Sequence, residues 1–166
     1  MSHMKIYALL LALLLNILPA QAQTNKPNAA SDVLNVTLCD LVHNPDIFDG
    51  KEVRLRATYL SNSNVASFVD QNCMAKDKQT WVEFDGISIK ASASGELYEK
   101  LEEQILCGKC GGDNKWRETE MLVTGIFYGD DTGHGRLGKY RFMFSVKNLE
   151  EIGVTQKTER SRFAQQ

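Results

Sequence analysis

From Lys51 the chain takes up a period of two. Val53, Leu55, Ala57 and Tyr59 alternate with Glu52, Arg54, Arg56 and Thr58. Successive strand side chains point to opposite faces, so this stretch makes one apolar and one polar face. Such a strand is not stable alone and needs paired neighbours. The sequence supplies four more candidates: VASFVD (65–70), TWVEF (80–84), EMLVTGIFYG (120–129) and KYRFMFSVKNLEEI (139–152). In the third strand Trp81 and Glu83 share one face, and Val82 and Phe84 the other. Ile87 and Ile89, after Gly86, are expected to continue its pairing. In the fifth, Tyr140, Phe142, Phe144 and Val146 share the core face. Gly125, mid-strand, predicts a bulge or sharp bend of the kind barrel closure requires.

Two helical regions punctuate the strands. Thr37 and Asp40 have capping-box spacing, and Leu38, Leu41 and Val42 give a one-sided apolar face. Asn44-Pro45 restarts the chain as a short helical turn, which Asp49-Gly50 ends. Later, Ser92 or Ser94 can cap a helix running through Cys107, with Leu97, Leu101 and Ile105 on one face and Gly108 as its stop. The expected fold is mainly β with two helices, a five-stranded Greek-key barrel of the oligonucleotide/oligosaccharide-binding (OB) type.

The combination LCDLVHNPDIFDGKEVRLRATY, VDQNC, WVEF and GHGRLGKYRFMFSV, spread over residues 36–152, resembles a group of uncharacterised exported bacterial proteins with an OB-fold-like domain. The resemblance implies the fold, a helix between the third and fourth strands, and export. It implies no established activity.

The first residues, MSHMKIYALLLALLLNILPAQAQ, read as a signal peptide over 1–22. Lys5 makes a positive start, Ile6 to Leu18 an apolar run, and Ala20-Gln21-Ala22 a small-x-small cleavage pattern. The run is shorter than the ~20 residues a membrane span needs, so no span is expected after signal removal. Residues 23–35 read as a flexible lead-in, 36–152 as the OB-fold-like domain and 153–166 as a mobile tail. The expected location is periplasmic or secreted.

The formal net charge is -2. A nucleic-acid binder carries a marked basic excess, so a nucleic-acid partner is disfavoured even though Arg54, Arg56, Lys139 and Arg141 lie on strand faces and Tyr128 and Tyr140 could stack bases. No nucleophile elbow, zinc-protease pattern, phosphate loop or dinucleotide fingerprint is present. His43 has no evident nucleophile beside it, and Glu102-Glu103 read as the wet face of a helix.

Four cysteines in an exported chain favour disulfides. The pairing expected is Cys39–Cys73 and Cys107–Cys110. One alternative is a zinc-stabilised domain with Cys39, Cys73, Cys107 and Cys110 as its four ligands. The other is a thiol–disulfide oxidoreductase using Cys107 and Cys110. Against that enzyme, the pair follows a helix instead of starting one, and a helix C-terminus disfavours a thiolate.

OB folds bind ligands across their middle strands and between the loops joining strands one to two and four to five. Here those loops are Ser61–Asn64 and Gly129–Gly138. The candidate ligand-binding residues are therefore Arg54, Arg56, Tyr128, Asp130, His134 and Arg136. Asp130, Asp131 and His134 are too few for a calcium loop and suit a tight turn, so no metal is expected there. The reading is an exported binding or structural module without catalytic activity or cofactor. Its partner would be a small molecule, a glycan or a protein.

Overall fold

The structure is a computed structural model. It describes residues 33–73, 79–106, 115–130, 132–159, 161 and 163, all within the compact unit Ser31–Gln166. In chain order the elements are β1 (Leu34–Val36), α1 (Leu38–His43), α2 (Pro45–Phe48), β2 (Glu52–Ser61), β3 (Ala66–Val69), a 3-10 turn (Gln71–Cys73), β4 (Thr80–Phe84), α3 (Gly86–Ser92), α4 (Gly95–Leu101), a π turn (Glu102–Leu106), β5 (Trp116–Tyr128), a second 3-10 turn (Arg136–Gly138), β6 (Phe142–Ile152) and β7 (Gln156–Thr158).

Five strands close on themselves in the order β2-β3-β4-β6-β5, and β5 returns to β2. All of these pairings are antiparallel except β4–β6, which is parallel. The result is a mainly β, closed mixed barrel of OB-fold-like type. β1 adds to β2 in parallel, with Arg54 opposite Asn35. β7 adds antiparallel to the start of β5, with Trp116 opposite Thr158.

The alternation at Lys51 does what its period demands. Val53, Leu55, Ala57 and Tyr59 are buried, and Glu52, Arg54, Arg56 and Thr58 face out. They meet the inward residues of β3, β4, β5 and β6 in one core. Tyr59, Phe68, Phe84 and Phe144 pack edge-to-face within it, at centroid distances of 5.3 to 6.2 Å, the arrangement ring quadrupoles favour. The long pairing of β5 with β6 shifts register between Leu122 and Val123 and again between Thr124 and Gly125. A Cβ on Gly125 would overlap the Ser145 carbonyl oxygen and the Phe144 ring. Glycine is therefore what lets β6 approach at the bend.

α1 is capped as its spacing predicts. Thr37 Oγ1 accepts from Asp40 N at 3.1 Å, and Thr37 N donates to Asp40 Oδ2 at 2.9 Å. Leu38, Leu41 and Val42 are buried against the barrel. The Cys39–Cys73 disulfide then ties α1 to the turn after β3, across a sequence separation of 34 and a Cα–Cα distance of 5.4 Å. Cys107 and Cys110 lie outside the described residues.

Several expectations change. Ile87 and Ile89 do not extend β4. Asp85 accepts from Ser88 N at 3.2 Å and starts α3, which buries Ile89 and leaves Ile87 86% exposed. A short apolar alternation after a potential cap is ambiguous between strand and helix, and here the cap decided. Ser94 caps α4, and the turn that follows it widens to π over Glu102–Leu106. The two helical regions thus come as four short α-helices. β5 begins at Trp116, since Trp116–Thr119 have β2 and β7 to pair with.

The segments assigned to lead-in and tail also take part in the fold. β1 starts within the first. In the second, β7 pairs with β5, Ser161 Oγ donates to Glu118 Oε1 at 2.6 Å, and Phe163 is 2% exposed against Leu60 and Val69. Leu60 and Val69 point away from the barrel interior, so the tail covers an apolar spot that the barrel core cannot reach.

Candidate functional site

β4 is the strand that organises the outer surface. Thr80 and Val82 are buried, so Trp81 and Glu83 project outward. Trp81 Nε1 donates to Glu83 Oε1 at 3.2 Å. Across its ring lies the loop between β5 and β6. Tyr140 packs against the indole with centroids 5.1 Å apart, and Gly135 lies so close that a Cβ there would sit 2.5 Å from Trp81 Cδ2. Tyr140 is half-buried, and that burial pushes its phenol pKa upward.

The loop reaches this position through unusual backbone. Gly133, Gly135 and Gly138 have positive φ, and so does Leu137 at 66°. A left-handed leucine is a genuine outlier. Its side chain is 81% exposed, so packing does not explain the conformation. Backbone bonds between His134 and Tyr140, at 2.7 and 3.1 Å, close the loop's base. His134 Nε2 lies 2.8 Å from Asp130 Oδ1, and Thr132 Oγ1 donates to the same oxygen at 2.8 Å. The Thr132 hydroxyl first, and the His134 ring after it, hold the Asp130 carboxyl below its usual pKa. Arg136 reaches away from this cluster, and its Nη1 donates to Asn64 Oδ1 at 2.8 Å. The β2–β3 loop is itself shaped by Asn62, whose Oδ1 accepts from Asn64 N and Val65 N at 2.8 and 2.9 Å. The Arg136–Asn64 bond therefore joins the two loops that flank β4.

The six candidate residues fall into two groups. Tyr128, Asp130, His134 and Arg136 belong to the loop assembly, with the Tyr128 and His134 rings 6.4 Å apart. Arg54 and Arg56 lie along β2. Arg54 donates to both carboxylate oxygens of Glu150 at 2.7 to 3.0 Å and to Asn35 Oδ1 at 3.1 Å. Glu150 also accepts from Thr124 Oγ1 at 2.8 Å. The Arg54 fork and that hydroxyl together keep the Glu150 carboxyl low. Arg56 pairs with Glu151 at 2.6 Å. These guanidiniums knit β2 to β6 across β5, each paired with a β6 carboxylate.

Two residues that face the loops were not among the six. Trp81 was legible as outward from the β4 alternation, and an outward tryptophan is itself a signal. Tyr140 was assigned to the core face with Phe142. β6 begins only at Phe142, and the His134–Tyr140 bridge turns Tyr140 out onto Trp81 instead.

A second surface lies on the outer side of β2 and β5. Two shallow cavities of about 300 and 270 Å³ share Thr58 and Glu120. The larger is bounded by Arg56, Asp70, Asn72 and Phe163, the smaller by Gly153, Val154 and Gln156. The C-terminal segment contributes to both.

Bonded to each other, the Cys39 and Cys73 sulfurs are not thiolates, so the four-thiolate zinc arrangement is not the state described. No helix among the described residues is long and apolar enough to cross a membrane. The disulfide is compatible with an oxidising, extracytoplasmic compartment. The chain matches no family model, no curated protein and no solved structure.

Proposed function

We propose that this chain is an exported, periplasmic or secreted, non-catalytic binding module. Its ligand sits on the outer face of β4, between the β2–β3 loop and the β5–β6 loop. The observation that carries the reading is the Trp81–Tyr140 aromatic pair framed by the Arg136–Asn64 bond between those loops. An aromatic surface with a few fixed polar groups at its rim is the usual make-up of a ligand site. Glu83, Asn64 and Arg136 supply a carboxylate, an amide and a guanidinium around it. A glycan is the ligand class this mixture suits best, because its rings offer apolar faces to stack and hydroxyls at their edges to bond. The acidic balance of the chain argues against a nucleic acid.

The chain has two tryptophans, which makes the test direct. Soluble oligosaccharides of differing charge, a single-stranded oligonucleotide and a control peptide are titrated while tryptophan emission is followed. The reading expects a saturable change with an oligosaccharide and its loss in Trp81→Phe, whose remaining emission comes from Trp116. Binding that is unchanged in Trp81→Phe, or saturation only with the oligonucleotide, overturns it.

A further inference from the structure

The disulfide sits inside a wider chemical cluster. The Cys39 and Cys73 sulfurs and a carboxylate oxygen of Asp70 all lie within 4.8 Å of one another. We propose that reduction of the Cys39–Cys73 bond converts this cluster into a metal site. Cys39, Cys73 and Asp70 are its ligands, and zinc is the ion it fits.

Three features of the geometry support the assignment. First, tetrahedral zinc with bonds of about 2.3 Å to sulfur and 2.0–2.2 Å to oxygen sets its ligand atoms roughly 3.5–4 Å apart. The Asp70 oxygen lies within 4.8 Å of both sulfurs, so small side-chain shifts, with the sulfurs parting from each other, bring the three atoms to that spacing. Second, the carboxylate is held in place. Asn72 donates to Asp70 Oδ1 from its backbone N at 2.8 Å and from its Nδ2 at 3.0 Å. Bonds of this kind orient a metal-ligating carboxylate and tune its strength. Third, the carboxylate side of the cluster borders open space: Asp70 lines the 300 Å³ cavity together with Gln71 and Asn72. Three protein ligands and one open position is an exchangeable site, unlike a closed structural one.

The chemistry balances with a dithiol as reductant. The dithiol gives two electrons and two protons, becomes a disulfide, and leaves Cys39 and Cys73 as thiols. Zinc then forms two Zn–S bonds and one Zn–O bond, and two thiol protons are released. The tie between α1 and the turn after β3 is thereby kept by the metal where the covalent bond is lost. The same two side chains hold the cap in either redox state.

The test uses the full chain carrying Cys107→Ser and Cys110→Ser, so that only one cysteine pair remains. A phosphine stands in for the dithiol, which would itself bind zinc, and is removed before titration. Zinc binding is read by competition with a chromophoric chelator, and cobalt binding by the thiolate-to-cobalt absorption band. The expected result is one equivalent per chain when reduced and none when oxidised. Asp70→Asn should weaken binding by about tenfold or more. The same Asp70→Asn comparison in the four-cysteine chain covers the case in which the double variant does not fold. Far-UV circular dichroism follows the reduced chain. If reduction unfolds it, zinc must restore the fold, and failure to do so overturns the proposal. So does an affinity unchanged by Asp70→Asn, or zinc uptake that needs Cys107 and Cys110.

Discussion

The α1 cap and the β5–β6 loop are both irregular segments laid against the same barrel, and they are held in opposite ways. The cap buries Leu38, Leu41 and Val42, has its first turn satisfied by Thr37 and Asp40, and carries a covalent tie to the turn after β3. The loop is held by ring contacts and a few exposed polar bonds, and it stores strain at Leu137. Burial and cross-linking make a region rigid, whereas strained backbone with exposed contacts is the usual make-up of a segment that meets a ligand. The cap serves the fold, and the loop is the segment on which the proposed recognition rests.

The largest expected effect lies on the cap. Closing a loop of this length stabilises a domain by roughly 3–4 kcal/mol in the chain-entropy model. Cys39→Ser should lower the unfolding free energy by about that much, and the denaturation midpoint with it, in oxidised samples and show little difference from the parent under reductant. An equal loss under both conditions would mean that the sulfur matters through packing alone, and the contrast with the loop would weaken. A change in the loop should cost less. Gly135 has φ 66° and ψ -162°, a region open essentially only to glycine, and a departure there costs about 1–3 kcal/mol. Gly135→Ala should undock the loop from Trp81 and shift tryptophan emission to the red, with a smaller drop in midpoint than Cys39→Ser. A drop as large as that of Cys39→Ser would show the loop to be part of the cooperative core.

Leu137→Gly probes the strain with the sign reversed. Left-handed backbone costs a residue with a Cβ about 1–2 kcal/mol, while glycine loses about 0.5–1 kcal/mol in chain entropy. The exposed side chain gives up little packing. The variant should therefore be as stable as the parent or gain up to about 1 kcal/mol in denaturant melts, and a clear loss would mean that Leu137 packs in solution.

The smallest effect is acid sensitivity. The Thr37 side-chain and backbone bonds lower the Asp40 pKa, and the Thr132 hydroxyl, with His134 after it, lowers that of Asp130. A carboxyl whose folded pKa is depressed contributes stability above its unfolded value of about 4, and that contribution is lost as pH falls through the folded pKa. Both regions should loosen below about pH 4. The loop has no covalent tie, so Trp81 emission should change at a higher pH than cap-sensitive amide exchange. Simultaneous change would erase the distinction.

Local chemistry made much of this protein legible in advance. The alternation over 52–59, the capping box at Thr37 and the bend at Gly125 all rest on short-range rules of period, cap and glycine. The same rules misassigned Ile87, Ile89 and Tyr140, because each sits where two local readings compete and long-range neighbours choose between them. Asp85 started a helix, and Trp81 drew Tyr140 out of the core pattern. The capture of Gln156–Thr158 and Phe163 also depended on an edge of β5 and an outward patch of Leu60 and Val69 that exist only once the barrel has closed. The sequence by itself determined which residues can face inward, since side-chain period follows from backbone geometry. The tertiary structure alone decided which outward residues meet, since Trp81, Asn64, Arg136 and Tyr140 are brought together by strand order and loop path.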